Sequence, residues 1–465
     1  MKFVIGDQIK LDIRKQGING EGVGYYNKTL VFVPGAIVKE KVACEIIFVA
    51  EKYATARIIR IMRESTKRLT PPCKFYDDCG GCHMQHIDYK EQLKIKKNII
   101  KQSLRRYTGY NVDELDIKKT LGMDNSYKYR NKSQMPFNNT DSGLALGFYK
   151  PESNEFVYVD ECLVHHDEIN KINKKVLSLL TKYDYKAYDT RNQDGILIYL
   201  VTRYLERTDS ASVTIIVKEY KEELKRLGRE IILSLPNVKS VTYSVNNPNS
   251  NLVISDRIYL LAGNMTIEDK FKDLKVKVSP DAFHQLNTVQ MEKMYDKVID
   301  IADIGPKSIV FDCYSGIGIT SILMSKVAKK VYGIDYSEAS IKDAIENARM
   351  NNIENVEFIA DQVELAVPKL IKKGIKPDLV LLDPPRRGLA TPVIDALRKT
   401  LPKQIVYVSC NPSTLAKDIS RIGKEYIIKS ISPIDMFPNT ASVESITLLE
   451  LVWKGEFYEY KERFS

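Results

Sequence analysis

No apolar run in this sequence reaches the roughly 18 residues needed to cross a bilayer. The opening Met1-Lys2-Phe3-Val4-Ile5-Gly6-Asp7 meets an acid too early for a secretory signal. Low-complexity tracts and internal repeats of roughly 20 to 50 residues are absent. Cysteine is sparse, seven in 465 residues, odd in number and unevenly spaced. That excludes a disulfide scaffold and points to thiol chemistry or metal binding. Together these absences predict a cytoplasmic protein without membrane attachment.

Hydrophobic residues make up 44% and charged residues 28%, which excludes a largely disordered or collagen-like chain. The length suits roughly three domains. Residues 1–60 hold ten Lys/Arg and six Asp/Glu, and residues 61–110 hold eleven and five. These segments carry +4 and +6, which equals the formal net charge of +10 for the whole chain. Such a one-ended excess suits neutralisation of nucleic-acid phosphates, with a solvated lysine-rich surface as the plainer alternative.

Residues 1–60 read as a small β-barrel, with strand candidates at Gln8–Ile13, Thr29–Val33 and Val42–Val49 between glycine turns. Residues 61–72 read as a linker ending in Pro71-Pro72. Cysteines crowd 73–82, and a helix is predicted over Asp88–Tyr107. Residues 61–265 are expected to form a central α+β domain with antiparallel strands such as Ile196–Thr202 and Ser212–Val217. From 266 to 465, short apolar strands alternate with helical patterns. They are Ser308–Asp312, Lys330–Ile334, Val356–Ile359, Leu379–Leu382 and Ile405–Val408. The fold class is therefore α/β, with a Rossmann-like doubly wound sheet in the C-terminal part.

Asp312-Cys313-Tyr314-Ser315-Gly316-Ile317-Gly318 joins a strand to a helix, and its glycines permit a tight turn against a ligand. Asp335 ends the next strand, where a carboxylate can accept both hydroxyls of an adenosine ribose. The third glycine of a dinucleotide loop is missing, since Ile319, Thr320 and Ser321 follow Gly318. S-adenosylmethionine (SAM), which has no phosphates, suits this loop better. Asp383, before Pro384-Pro385-Arg386, and Cys410, before Asn411-Pro412, end two further strands at the same sheet edge. A cysteine beside a methyl donor has a chemical use. Uracil C5 is too weak a nucleophile to take a methyl group unaided, but a thiolate adding to C6 turns C5 into an enolate carbon. A base must then remove the C5 proton so that the thiolate can leave. Cys410 is the candidate nucleophile, with a small buried hydrophobe as the bland alternative. Three close cysteines, Cys73, Cys79 and Cys82, plus one distant ligand suit either zinc or an iron-sulfur cluster on spacing alone.

The runs Asp383-Pro384-Pro385-Arg386, Ser409-Cys410-Asn411-Pro412 and Asp435-Met436-Phe437-Pro438-x-Thr440-x-x-Val443-Glu444 resemble the RNA uracil-5-methyltransferases. The likeness is greatest to the branch that acts on 23S ribosomal RNA and carries an iron-sulfur cluster. Phe283-His284-Gln285-Leu286-Asn287-Thr288 resembles a further segment of that family, and Val31-Phe32-Val33-Pro34-Gly35-Ala36 resembles its N-terminal TRAM domain. The resemblance implies Cys410 as nucleophile and Glu444 as general base. It implies a SAM and uracil pocket lined by Gln285, Tyr314, Asp335 and Asp383, with Asp361 near the adenine. It also implies a [4Fe-4S] cluster on Cys73, Cys79, Cys82 and Cys162, serving as a folding staple or RNA-docking scaffold.

This chain departs from the family in having Ser442 where a histidine usually precedes the base, and His284 where phenylalanine is usual. The expected partner is 23S rRNA with an exposed or flipped uridine, met by a monomer. The Asp88–Tyr107 helix, with Lys90, Lys94, Lys96, Lys97, Lys101, Arg105 and Arg106, is expected to track phosphates. Tyr25, Tyr26 and Phe32 are candidate stacking residues. Two alternatives remain, the same chemistry on uridine 54 of tRNA and a non-catalytic RNA-binding assembly factor.

Overall fold

The computed structural model describes residues 3–452 apart from 251 and 256, so residues 453–465 of the expected C-terminal domain lie outside the described residues. Six strands form the N-terminal sheet: β1 (Gln8–Asp12), β2 (Lys15–Gln16), β3 (Gly22–Tyr26), β4 (Thr29–Val33), β5 (Lys41–Val49) and β6 (Tyr53–Arg63). Their order is β1-β5-β6-β4-β3-β2. Alternate side chains point to one face, so Leu11, Val31, Val33, Val42, Cys44 and Ile46 are buried against one another. The linker is shorter than the sequence suggests. β6 runs on to Arg63, because Ile58 and Ile61 still pack on this core. Beyond it the chain is fastened: Arg68 donates from Nε and Nη2 to Glu40, whose side chain has no exposure, and from Nη2 to the Gly35 carbonyl.

The helix α1 (Tyr89–Tyr107) starts at Asp88, whose carboxylate accepts from the Glu91 N–H. Its apolar stripe of Ile95, Ile99, Ile100 and Leu104 joins the core of the C-terminal sheet, against Leu415 and Ile419.

The central sheet has seven strands in the order β13-β12-β11-β10-β7-β8-β9. They are β7 (Lys132–Thr140), β8 (Gly143–Tyr149), β9 (Phe156–Tyr158), β10 (Leu197–Leu205), β11 (Ser210–Val217), β12 (Val238–Val245) and β13 (Ile258–Gly263). The helices α2 (Asp167–Lys182) and α3 (Leu224–Ser234) pack on it over one apolar core. A hairpin, β14 (Ile267–Phe271) and β15 (Leu274–Val278), then leads to α4 (Thr288–Ile301).

The C-terminal sheet runs β18-β17-β16-β19-β20-β22-β21. Its parallel strands are β16 (Ile309–Cys313), β17 (Lys330–Asp335), β18 (Val356–Ala360), β19 (Leu379–Leu382) and β20 (Gln404–Ser409). The helices α5 (Ile319–Ser325), α6 (Glu338–Met350), α7 (Val363–Lys372) and α8 (Thr391–Thr400) connect them, and α9 (Pro412–Ile422) follows β20. Two antiparallel strands, β21 (Tyr426–Ile434) and β22 (Glu444–Leu451), finish the sheet beside β20. No helix among the described residues is long and apolar enough to cross a membrane.

Candidate active site

Strand order reverses between β16 and β19, where open α/β sheets bind their ligands. A pocket lies there, walled by Phe283, Gln285, Asp312, Tyr314, Ser315 and Asp383 among others. Asp312 Oδ2 accepts from Thr320 Oγ1 and Ser321 Oγ, both at 2.6 Å. These hydroxyls come from the stretch that lacks the third glycine. Gly318 starts α5 at φ +83°, and a Cβ there would stand 2.7 Å from the Phe358 ring and 2.9 Å from Ala344. A side chain is thus barred by both conformation and space.

Burial pushes the Asp312 carboxyl up to about 6, with repulsion from Asp335 adding to it against the two hydroxyls. Asp383 is pushed up to about 7 by burial and then by Asp312. Two acids in one pocket resist joint ionisation, so the site fits a cation. Ser315 Oγ is buried without a hydrogen-bond partner, and the Gln285 side-chain amide makes no hydrogen bond among the described residues. These unspent polar groups are left to meet a polar ligand.

Asp335 and Asp361 stand on the neighbouring strand ends, outside the pocket wall itself. Asp335 accepts from the N–H of Gly316 at 3.0 Å and of Ser337 at 2.9 Å, leaving a lone pair on each oxygen. Asp361 is held below the usual carboxylate range by Lys369, which donates to it at 2.6 Å.

Cys410 and Glu444 meet through strand register. Ser409 pairs with Ser445 as the last rung between β20 and β22, so Cys410 and Glu444 adjoin the same end of that antiparallel ladder. Burial pushes the Cys410 thiol up to about 12, reinforced by Glu444 and then Asp383, while Arg386 opposes. Glu444, 7% exposed, is pushed up to about 8 by burial and Asp383, against Arg386 and Lys96. A thiol, two carboxyls and two cations therefore act on one another at one place. Asn411 caps α9 and donates to the Arg386 carbonyl at 3.0 Å, which ties the Cys410 and Asp383 loops together.

The family-like segment 283–288 supports the loop before Glu444. Asn287 donates to the Met436 carbonyl, and Gln290 to the Asp435 and Leu121 carbonyls. His284 lines the pocket with its Nδ1 3.2 Å from the Gln285 carbonyl and its Nε2 3.6 Å from Asp269. Burial pulls its pKa down to about 3, so the ring is neutral. Ser442 is half-buried, and its N–H donates to Thr440 Oγ1.

The α1 cations do not all face solvent, although Lys90, Lys94, Arg105 and Arg106 do. Lys96 is fully buried and paired with Asp435. Lys97 donates to the Ile117 carbonyl, while Lys101 and Arg105 bind Asp113. The sequence analysis did not single out Lys132 and Arg203, which face each other across β7 and β10 beside segment 283–288. Burial pulls Lys132 down to about 7, and Arg203 adds to that. Their signal was the pair of cations inside strand patterns that otherwise bury apolar groups. On the N-terminal sheet Tyr25 and Tyr26 are exposed. Phe32 packs edge-on against Tyr53, which in turn meets the exposed Phe48.

All four predicted cysteines, Cys73, Cys79, Cys82 and Cys162, are free and half-buried. Burial pushes the Cys82 thiol up to about 12, and Cys162, Cys79 and Cys73 all contribute. The thiols thus lie within one another's electric reach. Among the described residues, however, no group of three or more His, Cys, Asp or Glu side chains is set to hold a metal ion. Cys44 and Cys313 are buried core residues.

A doubly wound sheet with an acid-lined pocket at its switch point, near Cys410 and Glu444, has the form of a SAM-dependent methyltransferase. Comparison with known proteins gives the family. Residues 88–452 match the tRNA (uracil-5-)-methyltransferase family, and residues 2–59 match the TRAM domain. An uncharacterised RNA methyltransferase of Listeria innocua is 38% identical over 96% of this chain and 98% of its own length. One from Halalkalibacterium halodurans is 38% identical over 97% of each. The crystal structure of Pyrococcus abyssi tRNA (uracil-54, C5)-methyltransferase with S-adenosyl-L-homocysteine matches at a TM-score of 0.75 and 25% identity, covering 95% of this chain and 100% of that one. The chain belongs to the RNA uracil-5-methyltransferase family and is a SAM-dependent enzyme acting on RNA.

Proposed function

We propose that this enzyme methylates C5 of a uridine in 23S ribosomal RNA through a covalent adduct on Cys410. The observation that carries this reading is that Cys410 and Glu444 adjoin the last β20–β22 rung, with Asp383 and Arg386 in electrical contact with both. At rest the Cys410 thiol is protonated. As its sulfur bonds to C6, the thiol of half-buried Cys410 loses its proton to water, and the C5–C6 π electrons pass to C5 and O4. SAM, when bound, supplies the electrophilic methyl group that C5 takes up. Glu444 then removes the C5 proton, the C5–C6 double bond re-forms and the C6–S bond breaks. A base poised near the working pH serves that last step well. Gln285, Tyr314, Asp335, Asp361 and Asp383 hold the donor in this reading.

Cys73, Cys79, Cys82 and Cys162 would carry a [4Fe-4S] cluster as a structural centre. An all-sulfur donor set and the glycines between Cys79 and Cys82 fit it. Methyl transfer moves no net electrons and needs nothing further from such a centre.

A second reading has its own support. The Pyrococcus likeness extends over 95% of this chain, so the N-terminal barrel does not argue against uridine 54 of tRNA as the target. Mapping 5-methyluridine in ribosomal and transfer RNA from a deletion strain separates the two. Loss of a 23S site supports the first reading, and survival of every 23S site ends it.

A further inference from the structure

Lys96 in α1 is wholly sealed from water. Its Nζ donates to Asp435 Oδ1 and, at 3.0 Å, to the Phe437 carbonyl. Tyr89 donates to the other Asp435 oxygen at 2.8 Å. Asp435 directly follows Ile434, which stands across from Glu444 in the β21–β22 ladder. Residues 435–443 therefore leave and re-enter the sheet at a single rung, and Lys96 grips the leaving side. One helical turn back, Gln92 grips the far part of the loop. It accepts from the Asn439 N–H at 3.0 Å and donates to Asn439 Oδ1 at 3.2 Å.

A buried ion pair adds little stability by itself, since removing both ions from water offsets their attraction. The place of this one beside a carboxyl that must change charge gives it a use. We propose that Lys96 is the positioning residue of Glu444, its ammonium holding the 435–443 loop and setting a buried positive charge before the base. This rests on reading Glu444 as the base for uracil C5. The charged and titratable groups facing Glu444 are Asp383, Cys410, Arg386 and Lys96. Asp383 and Cys410 favour the neutral acid. Arg386 is exposed and screened by water, whereas Lys96 is not. Lys96, paired with Asp435 but sealed from water, is therefore the buried cation that favours the carboxylate.

The test is the pH profile of single-turnover methylation by Lys96→Met, on the RNA that the wild-type enzyme methylates. Loss of the ammonium should move the acid limb up by about one pH unit, the low end of what a nearby opposite charge supplies. Adduct on Cys410 should accumulate below that limb. Thermal melting and SAM affinity serve as the folding checks. A folded Lys96→Met with a wild-type acid limb overturns the proposal. Should that variant fail to fold, Lys96→Met/Asp435→Asn leaves no unpaired buried charge and should shift the limb the same way by less. An unmoved limb there also overturns it. Glu444→Gln run alongside keeps the two ideas apart: without adduct accumulation in that variant, the role of Glu444 itself is wrong.

Discussion

Lowering the pH from 8 to 6 should weaken SAM binding while leaving S-adenosylhomocysteine nearly untouched. The donor pocket holds Asp383, pushed up to about 7, and Asp312, pushed up to about 6, both chiefly by burial. A raised carboxyl pKa means that protons bind as pH falls through that value, so the negative charge facing a sulfonium is lost on the acid side. With a pKa of about 7, Asp383 is about 90% ionised at pH 8 and about 10% at pH 6. If SAM selects the ionised form, its affinity falls about tenfold over that interval. Asp312, about half protonated at pH 6, adds roughly a further factor of two. S-adenosylhomocysteine carries a neutral thioether and should change by less than about twofold. Calorimetry in two buffers of different ionisation enthalpy measures both affinity and proton release. Near pH 6, SAM binding should release about one proton. Asp383→Asn should flatten the SAM curve. Parallel pH curves for the two ligands would refute the assignment of these acids to the sulfonium.

Three other outcomes follow from the site and its supports. Cys410→Ala should abolish the covalent complex with 5-fluorouracil-containing RNA, and Glu444→Gln should accumulate adduct on ordinary RNA, both read by denaturing electrophoresis. Activity retained by Cys410→Ala would end the covalent scheme. Protein purified without oxygen should be brown, with broad absorption near roughly 400 nm, and Cys162→Ser should bleach it; colourless protein with stoichiometric zinc would reassign the centre. Arg68→Ala strands the wholly buried Glu40 and should cost about 3 kcal/mol in urea unfolding. A loss under about 1 kcal/mol would show that Arg68 does not fasten the N-terminal sheet.

What the sequence revealed and what it hid divides along contact range. The turn at Gly316 and Gly318 and the acids ending β16, β17 and β19 are local patterns, and the parallel sheet follows from them. Cys410 could be argued from chemistry at a strand end. Its pairing with Glu444 came only through family likeness, because β22 returns antiparallel beside β20 after the β21 excursion and no periodicity announces that order. Lys96 shows the limit more sharply. Its position was readable: Gln92, Ile95, Lys96, Ile99, Ile100, Ser103 and Leu104 share the buried stripe of α1, at the spacing of one helical face. A lysine on that stripe, one turn from two isoleucines, was a signal against solvent and against RNA. What it pairs with was not readable, since Asp435 lies 339 residues further along the chain. A charge that falls on an apolar helical face should therefore be counted as a buried partner in search of its counter-ion before it is counted toward a nucleic-acid surface. On that rule the +10 of the first 110 residues overstates the cations available to RNA. Lys96 and Arg68 are spent on buried acids, and Lys101 and Arg105 are held by Asp113.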